Sequence, residues 1–187
     1  MITKKLIFIL AVGFFNYGYC DINEKIDLCN SCHSSENINN DLNIPSILGQ
    51  EFFYIYTQLK DYKANRRKHE VMSVIASELT KDEMKKLADY FSKKAWMNFD
   101  SDHVFDSEEV LKIISSGGRN ACIKCHLGFK GNSSIPALAG QKSQYLEYTM
   151  KAFKNKTRNN APSKNTIFSE ISDDTISLIS KYLESYR

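Results

Sequence analysis

The sequence has no strong excess of charge of either sign, and this lack limits what the protein can bind. Its 187 residues include 25 basic and 22 acidic ones, and the excess of three falls to one without Lys4 and Lys5. Nucleic-acid binding needs a concentrated basic surface, so that function class is disfavoured. With only 8 glycines and 3 prolines and with 42% hydrophobic residues, the chain is neither collagen-like nor disordered. No alternating strand pattern is present, and we expect an all-α fold of one or two small domains.

The first twenty residues have the order of a secretory signal peptide. Two lysines precede an apolar run over 6–15, which is too short to span a bilayer. Gly18 and Cys20 are the small residues expected before a cleavage site. We therefore expect residues 1–20 to be removed and the mature protein to be periplasmic. Acylation of Cys20, as in a lipoprotein, and an uncleaved anchor are the alternatives.

The four remaining cysteines form two pairs with the same spacing. Each pair has two intervening residues, and a histidine follows the second cysteine at once. The motifs are Cys29-Asn-Ser-Cys32-His33 and Cys122-Ile-Lys-Cys125-His126. On one helical turn, two such thiols can each add to a vinyl group of a porphyrin while the histidine binds the iron. We expect two covalently bound haem c groups in preference to a zinc site, a thiol-redox pair or a disulfide scaffold.

An internal repeat accompanies the two motifs. Ile44-Pro45-Ser46-Ile47-Leu48-Gly49-Gln50 is repeated 91 positions later as Ile135-Pro136-Ala137-Leu138-Ala139-Gly140-Gln141. Tyr54 and Tyr145 keep this offset, as do Arg67 and Arg158. Such a repeat indicates a duplicated domain. We expect a first domain over 21–94, a linker over 95–106 and a second domain over 107–187.

Hydrophobic periodicity predicts helices in both copies. Spacing of three to four residues predicts one from Phe52 to Tyr62 and another from Tyr145 to Phe153. Thr80 and Glu83 form a capping box that predicts a second helix in the first copy, with Ser172 in the same role in the second copy. A further helix is expected from 106 to 116, and 93–105 lacks a pattern.

The sixth iron ligand decides whether a haem carries electrons or binds small molecules. Met84 and Met150 lie on apolar helix faces, which favours core packing, and Met97 lies in the linker beside Trp96. Met72 lies in a predicted loop between two helices, from which a side chain can reach across the haem. We therefore expect Met72 to bind the first iron.

With these residues in place, the chain resembles the cytochrome c4 family of dihaem electron carriers, which have two class I cytochrome c domains in tandem. The resemblance rests on both Cys-x-x-Cys-His motifs, on the Pro to Gly-Gln segments and on Met72 to Ala76 followed by Leu79-Thr80. It implies histidine and methionine ligation of both irons. It also implies that the backbone carbonyls of Pro45 and Pro136 orient the two histidines.

The second copy departs from this pattern at the expected methionine. With the offset of 92 set by Leu79 and Ile171, the partner of Met72 is Lys164, and no methionine follows Met150. Three alternatives remain open for the second haem. In the first, the sixth ligand is the neutral amine of Lys164. In the second, the sixth ligand is Asn165 or a remote histidine. In the third, the iron has no sixth ligand and is five-coordinate.

Two further histidines belong to this question. His69 and His103 both lie among charged residues, which indicates exposed polar positions. In the remote-histidine alternative, His103 is the residue that would bind the second iron.

The leading hypothesis is an exported electron carrier that is not an enzyme. The resemblance implies a membrane-bound quinol-oxidising complex as donor and a terminal oxidase as acceptor. The alternative is a gas-binding or peroxide-reactive protein that uses the altered second haem. A disulfide-bonded module without haem leaves both histidines and the repeats unexplained.

Overall fold

The computed structural model describes residues 21–38, 43–96, 107–116 and 121–186. Within these ranges the secondary structure is helical, apart from a single bridge between Asn132 and Ile135. Five helices precede the predicted linker: α1 (Ile22–His33), α2 (Ser35–Ile38), α3 (Phe52–Lys63), α4 (Glu70–Ser77) and α5 (Lys81–Ser92). Five follow it: α6 (Glu108–Ser115), α7 (Cys122–Cys125), α8 (Ser143–Lys154), α9 (Pro162–Ser169) and α10 (Asp173–Ser185).

The helices form two units, each with its own core. We call residues 21–96 the first unit and 107–186 the second unit. In the first unit α3 packs on α4 and α5, and in the second α8 packs on α9 and α10. The two core clusters share no residue. The expectation of an all-α fold is confirmed, and α8, α9 and α10 repeat the order and packing of α3, α4 and α5.

Helix α5 has the core face that the sequence predicts. Met84, Leu87, Ala88 and Phe91 are all buried on it. Its capping box is formed, since Thr80 Oγ1 accepts from the Glu83 backbone N–H at 3.2 Å and the Glu83 carboxylate accepts from the Thr80 N–H at 2.7 Å. These reciprocal bonds satisfy amides that the first helical turn leaves unpaired.

Caps also begin the predicted helices of the second unit. Ser172 Oγ accepts from the Thr175 N–H at 3.1 Å, and Ser107 Oγ accepts from the Val110 N–H at 3.2 Å. Met150 is buried in the core of this unit, as expected. The local sequence signals therefore set where α6 and α10 begin.

The prediction that Met72 lies in a loop is wrong. Met72 is the third residue of α4, an eight-residue helix whose N-cap is His69. The imidazole Nδ1 of His69 accepts from the backbone N–H groups of Val71 and Met72, each at 3.3 Å. Because an imidazole is not among the usual capping side chains, the sequence carried no ordinary signal for the start of this helix.

Two glutamines join the units by symmetric hydrogen bonds. Gln50 pairs with the backbone of Ala137, accepting from its N–H at 2.8 Å and donating to its carbonyl at 3.1 Å. Gln141 pairs in the same way with Ser46, at 2.9 and 3.0 Å. Trp96 adds a bond from its indole N–H to the Ala139 carbonyl at 2.9 Å. The repeated Gly-Gln segments therefore form the junction between the units.

The predicted domain limits stay predictions, because residues 97–106 of the predicted linker lie outside the described residues. No helix in the described ranges combines the length and the apolar character that crossing a bilayer requires.

Candidate haem-binding sites

The first cysteine motif occupies the last turn and a half of α1. Cys29 is partly buried, Cys32 is exposed and His33 is buried. The Nδ1 of His33 lies 2.9 Å from the carbonyl oxygen of Pro45. A carbonyl can only accept, so Nδ1 carries the proton and Nε2 keeps its lone pair for a metal. The pKa of His33 is lowered by burial, against the opposing effect of the Pro45 bond.

The second motif has the same geometry on the single turn of α7. Cys122, Cys125 and His126 are all partly buried. The Nδ1 of His126 donates to the carbonyl oxygen of Pro136 at 2.8 Å. The orientation of both histidines by proline carbonyls is therefore present, as the resemblance implied.

The state of the thiols argues against the other uses of these cysteines. None of the four is assigned to a disulfide in the described part of the chain. Burial raises the pKa of Cys29 to about 11 and also raises that of Cys122, whereas thiol-redox pairs depend on a lowered pKa. Among the described residues, no three His, Cys, Asp or Glu side chains gather into a metal-binding group. Each motif instead offers two thiols for the porphyrin vinyl groups and one imidazole for the iron, which suits haem c.

Met72 and Lys164 occupy equivalent positions in the two units. Helices α4 and α9 have eight residues each, and Met72 and Lys164 are the third residue of their helices. Both side chains are partly buried, and Met72 packs against the core of the first unit. The alignment of Lys164 with Met72 is therefore also a structural equivalence.

The charge of Lys164 acts on the second cysteine motif. The pKa of His126 is lowered first by burial and further by Lys164, while the Pro136 bond opposes both. The pKa of Cys122 is raised by burial, and Lys164 opposes this rise. The neighbouring Asn165 is buried, and its Oδ1 has no hydrogen-bond partner among the described residues.

A second polar group lies where the units meet, and we call it the arginine–tyrosine cluster (Tyr54, Gln58, Arg67, Tyr145 and Arg158). Arg67 donates to the Tyr145 hydroxyl at 3.1 Å, and Arg158 lies 3.5 Å from the Tyr54 hydroxyl. Gln58 Oε1 accepts from both arginines, at 2.9 and 3.0 Å. Each arginine of one unit therefore meets the repeat tyrosine of the other.

This cluster concentrates positive charge in a buried place. Burial alone raises the pKa of Tyr145, but the guanidinium groups of Arg67 and Arg158 outweigh that effect and lower it to about 7. The Nη1 of Arg158 is buried and has no acceptor in the part of the chain that the structure describes. Because haem c carries propionate carboxylates, an unpaired buried guanidinium N–H is a fitting donor to one.

Sequence reasoning noticed both tyrosines and both arginines only as repeat positions. It missed Gln58 altogether, and also Asn160, which donates to Gln58 Oε1 at 3.1 Å and to Asp61 Oδ2 at 2.8 Å. No sequence signal marks these residues, since polar side chains such as Gln58 on α3 and Asn160 between α8 and α9 are common on protein surfaces.

Four further residues that the sequence singled out are Cys20, His69, Met97 and His103. His69 is exposed, as expected, and caps α4. Cys20, Met97 and His103 lie outside the described residues, as does the predicted signal peptide.

The chain is similar to known proteins in sequence and in fold. No protein-family model matches the chain. The cytochrome c4 of Thiocapsa roseopersicina is 30% identical over 166 residues, which cover 84% of this chain and 86% of that protein. The chain belongs to the cytochrome c4 family.

A cytochrome c4 structure from Acidithiobacillus ferrooxidans matches with a TM-score of 0.75 and 29% identity, covering 84% of this chain and 97% of that one. A protein named thiosulfate dehydrogenase electron acceptor, from Stutzerimonas stutzeri, is 27% identical over 82% of this chain and 76% of its own length. As a cytochrome c4, the chain has two class I cytochrome c domains and is an electron-transfer protein with two covalently bound haem c groups.

Proposed function

We propose that this cytochrome c4 is an exported electron carrier of a respiratory chain, and that the residues described above hold its two haems. Cys29 and Cys32 would attach the first haem, and His33 would bind its iron. Cys122, Cys125 and His126 would do the same for the second. The observation that carries this assignment is the repeated proximal geometry, in which each histidine donates from Nδ1 to a proline carbonyl at 2.9 or 2.8 Å.

Each residue has a defined task in this proposal. The thiols hold the porphyrin by thioether bonds, and the proline carbonyls keep each imidazole in one tautomer and one orientation. Met72 closes the first site from α4 with a thioether sulfur, which favours the reduced iron and raises the reduction potential. The haem supplies the reversible one-electron chemistry. The protein itself forms and breaks no substrate bond, so we do not propose an enzyme.

The partners we propose are a membrane-bound quinol-oxidising complex as donor and a terminal oxidase as acceptor, with the protein in the periplasm. Family membership supports an electron-transfer role for this chain. A near-neutral chain leaves partner choice to the local surface around each haem edge rather than to net charge. The name of the Stutzerimonas stutzeri relative makes a periplasmic thiosulfate-oxidising dehydrogenase the rival donor.

The test uses the mature holoprotein exported from a host that matures c-type cytochromes. Its mass should exceed that of the polypeptide by two haems, and a variant with Cys122→Ser and Cys125→Ser should keep one haem. Mixing with membranes that contain the quinol-oxidising complex should then reduce the protein, and mixing with the oxidase should reoxidise it.

The outcomes separate the parts of the proposal. A chain without covalent haem contradicts the site assignment. Two haems that are reduced only by a thiosulfate-oxidising dehydrogenase contradict the quinol-oxidising donor. The protein is then an electron carrier whose donor is that dehydrogenase.

The second candidate function is gas or peroxide binding at the second haem. One observation favours it, namely that a lysine stands at the position equivalent to Met72. It requires an open second iron, which coordination by the Lys164 amine would exclude.

A further inference from the structure

The second haem site lacks a methionine at the position where the first has Met72. Helix α9 is the counterpart of α4 in length and in its packing, since α4 lies on α3 and α9 lies on α8. Lys164 takes the place of Met72 as the third residue of the helix. A side chain from this position is therefore directed by the same backbone frame as the methionine of the first unit.

The length and chemistry of Lys164 suit this position. The lysine nitrogen is the fifth heavy atom of its side chain and the methionine sulfur is the third, so the amine can reach farther from the backbone than the sulfur does. Its backbone position is the one that Met72 occupies in α4, since each is the third residue of an eight-residue helix.

Lys164 also lacks the salt bridges that Lys151 and Lys154 form. Lys151 pairs with Glu147 at 2.7 Å, and Lys154 pairs with Asp173 at 2.6 Å. In the part of the chain that the structure describes, Lys164 Nζ makes no hydrogen bond and no ion pair, although the side chain is partly buried. A partly buried ammonium without an anion is unfavourable, and coordination as a neutral amine removes that penalty.

The other candidate ligands of the second unit are less suitable. Met150 is buried in the hydrophobic core on α8. Asn165 uses its amide nitrogen to donate to Asn159 at 2.9 Å, and its free amide oxygen is a hard donor better matched to magnesium or calcium than to haem iron. Lys164 is therefore the strongest donor that α9 presents.

We propose that the side-chain amine of Lys164 is the sixth ligand of the second haem iron, an inference that rests on the haem assignment proposed above. On coordination, the ammonium releases one proton to solvent, and the nitrogen lone pair forms the bond to iron without a change of oxidation state. A nitrogen donor stabilises the oxidised iron relative to a thioether sulfur. The second haem then has the lower reduction potential, and electrons that enter there pass on to the haem closed by Met72.

The experiment compares four holoproteins: wild type, Lys164→Ala, Lys164→Met and Lys181→Ala. Lys181 is an exposed lysine on α10, so its variant controls for loss of one lysine charge in the same unit. Carbon monoxide is added to each reduced protein, and the oxidised proteins are compared by electron paramagnetic resonance and by their near-infrared charge-transfer bands. Haem content and helicity are measured for each.

In the wild type and in Lys181→Ala, we expect no carbon monoxide binding, one thioether–iron band and a second low-spin signal of an amine ligand. Lys164→Ala should bind carbon monoxide in about half of its haem, because one of two irons is opened. Lys164→Met should gain a second thioether–iron band and a higher potential for the second haem.

Two results would overturn the inference. One is a wild-type protein that already binds carbon monoxide in half of its haem, which supports the open site. The other is a pair of Lys164 variants with wild-type spectra, which assigns the ligand to another residue. Both leave the two covalent haems in place, whereas a protein without them contradicts the proposed function itself.

Discussion

Removing the Gln50 side chain should weaken the junction between the two units. In Gln50→Ala, the buried backbone N–H and carbonyl of Ala137 both lose the partners that now lie at 2.8 and 3.1 Å. Leaving a buried polar group unpaired costs about 1–3 kcal/mol. Two such groups predict a loss of roughly 2–6 kcal/mol in the free energy of unfolding, with the lower values applying where water enters the space left behind.

Because the junction is pseudo-symmetric, the same prediction applies to Gln141. Gln141→Ala should cost a similar amount, because it uncovers the buried N–H and carbonyl of Ser46. The two substitutions together should leave the units without their glutamine bridges. Unfolding of the double variant should then separate into two transitions, one for each core.

The assay is denaturant unfolding of the holoprotein, followed by circular dichroism and by the haem absorption. Gln144→Ala serves as the control, since Gln144 is exposed on α8 and surface substitutions usually change stability by about 0.5 kcal/mol or less. If Gln50→Ala unfolds at the same denaturant concentration as Gln144→Ala, the junction contributes no stability and the reasoning is refuted.

Gln50→Ala should also change the reduction potential of the haem in the second unit. Ala137 follows Pro136, whose carbonyl orients His126, so Gln50→Ala should shift the potential of the second haem more than that of the first. Gln141→Ala should have the reverse effect through Ser46, which follows Pro45. A redox titration of both variants measures this, and equal shifts of both haems in each variant would contradict it.

Three further substitutions test other parts of the structure. Met72→Ala should abolish the thioether–iron band of one haem while two haems stay covalently attached, as absorption and mass spectra can check, and an unchanged band would reassign the ligand. Gly49→Ala should cost roughly 1–3 kcal/mol in the free energy of unfolding, because Gly49 has a φ of +72° and an added Cβ would lie 2.7 Å from the Trp96 backbone nitrogen. The pKa of Glu83 is lowered, chiefly by the Thr80 backbone N–H, so its stabilising effect is complete above its ordinary pKa of 4.5 and is lost as the pH falls through the lowered value. Acid unfolding of Glu83→Gln should therefore have a weaker pH dependence than that of the wild type, and identical slopes would argue against this role.

Helices with ordinary local signals were predictable. Thr80 with Glu83, and the apolar residues at three- and four-residue spacing after them, define α5 in the sequence, and the structure has the same cap and the same buried face. The start of α4 was not predictable, because His69 caps it through a ring nitrogen. The identity of the Lys164 position followed from the repeat offset, and equal helix lengths in the two units then bore it out as a structural equivalence.

The sequence by itself determined the chemistry of attachment and the helical fold. A Cys-x-x-Cys-His motif places its thiols and imidazole by local helix geometry, and helix periodicity is local as well. Only the tertiary structure decided which groups meet across the junction: Gln50 with Ala137 over 87 positions, and Arg67 with Tyr145 over 78. Such pairs depend on how two cores pack against each other, and a repeat reveals which residues are equivalent but not which of them touch.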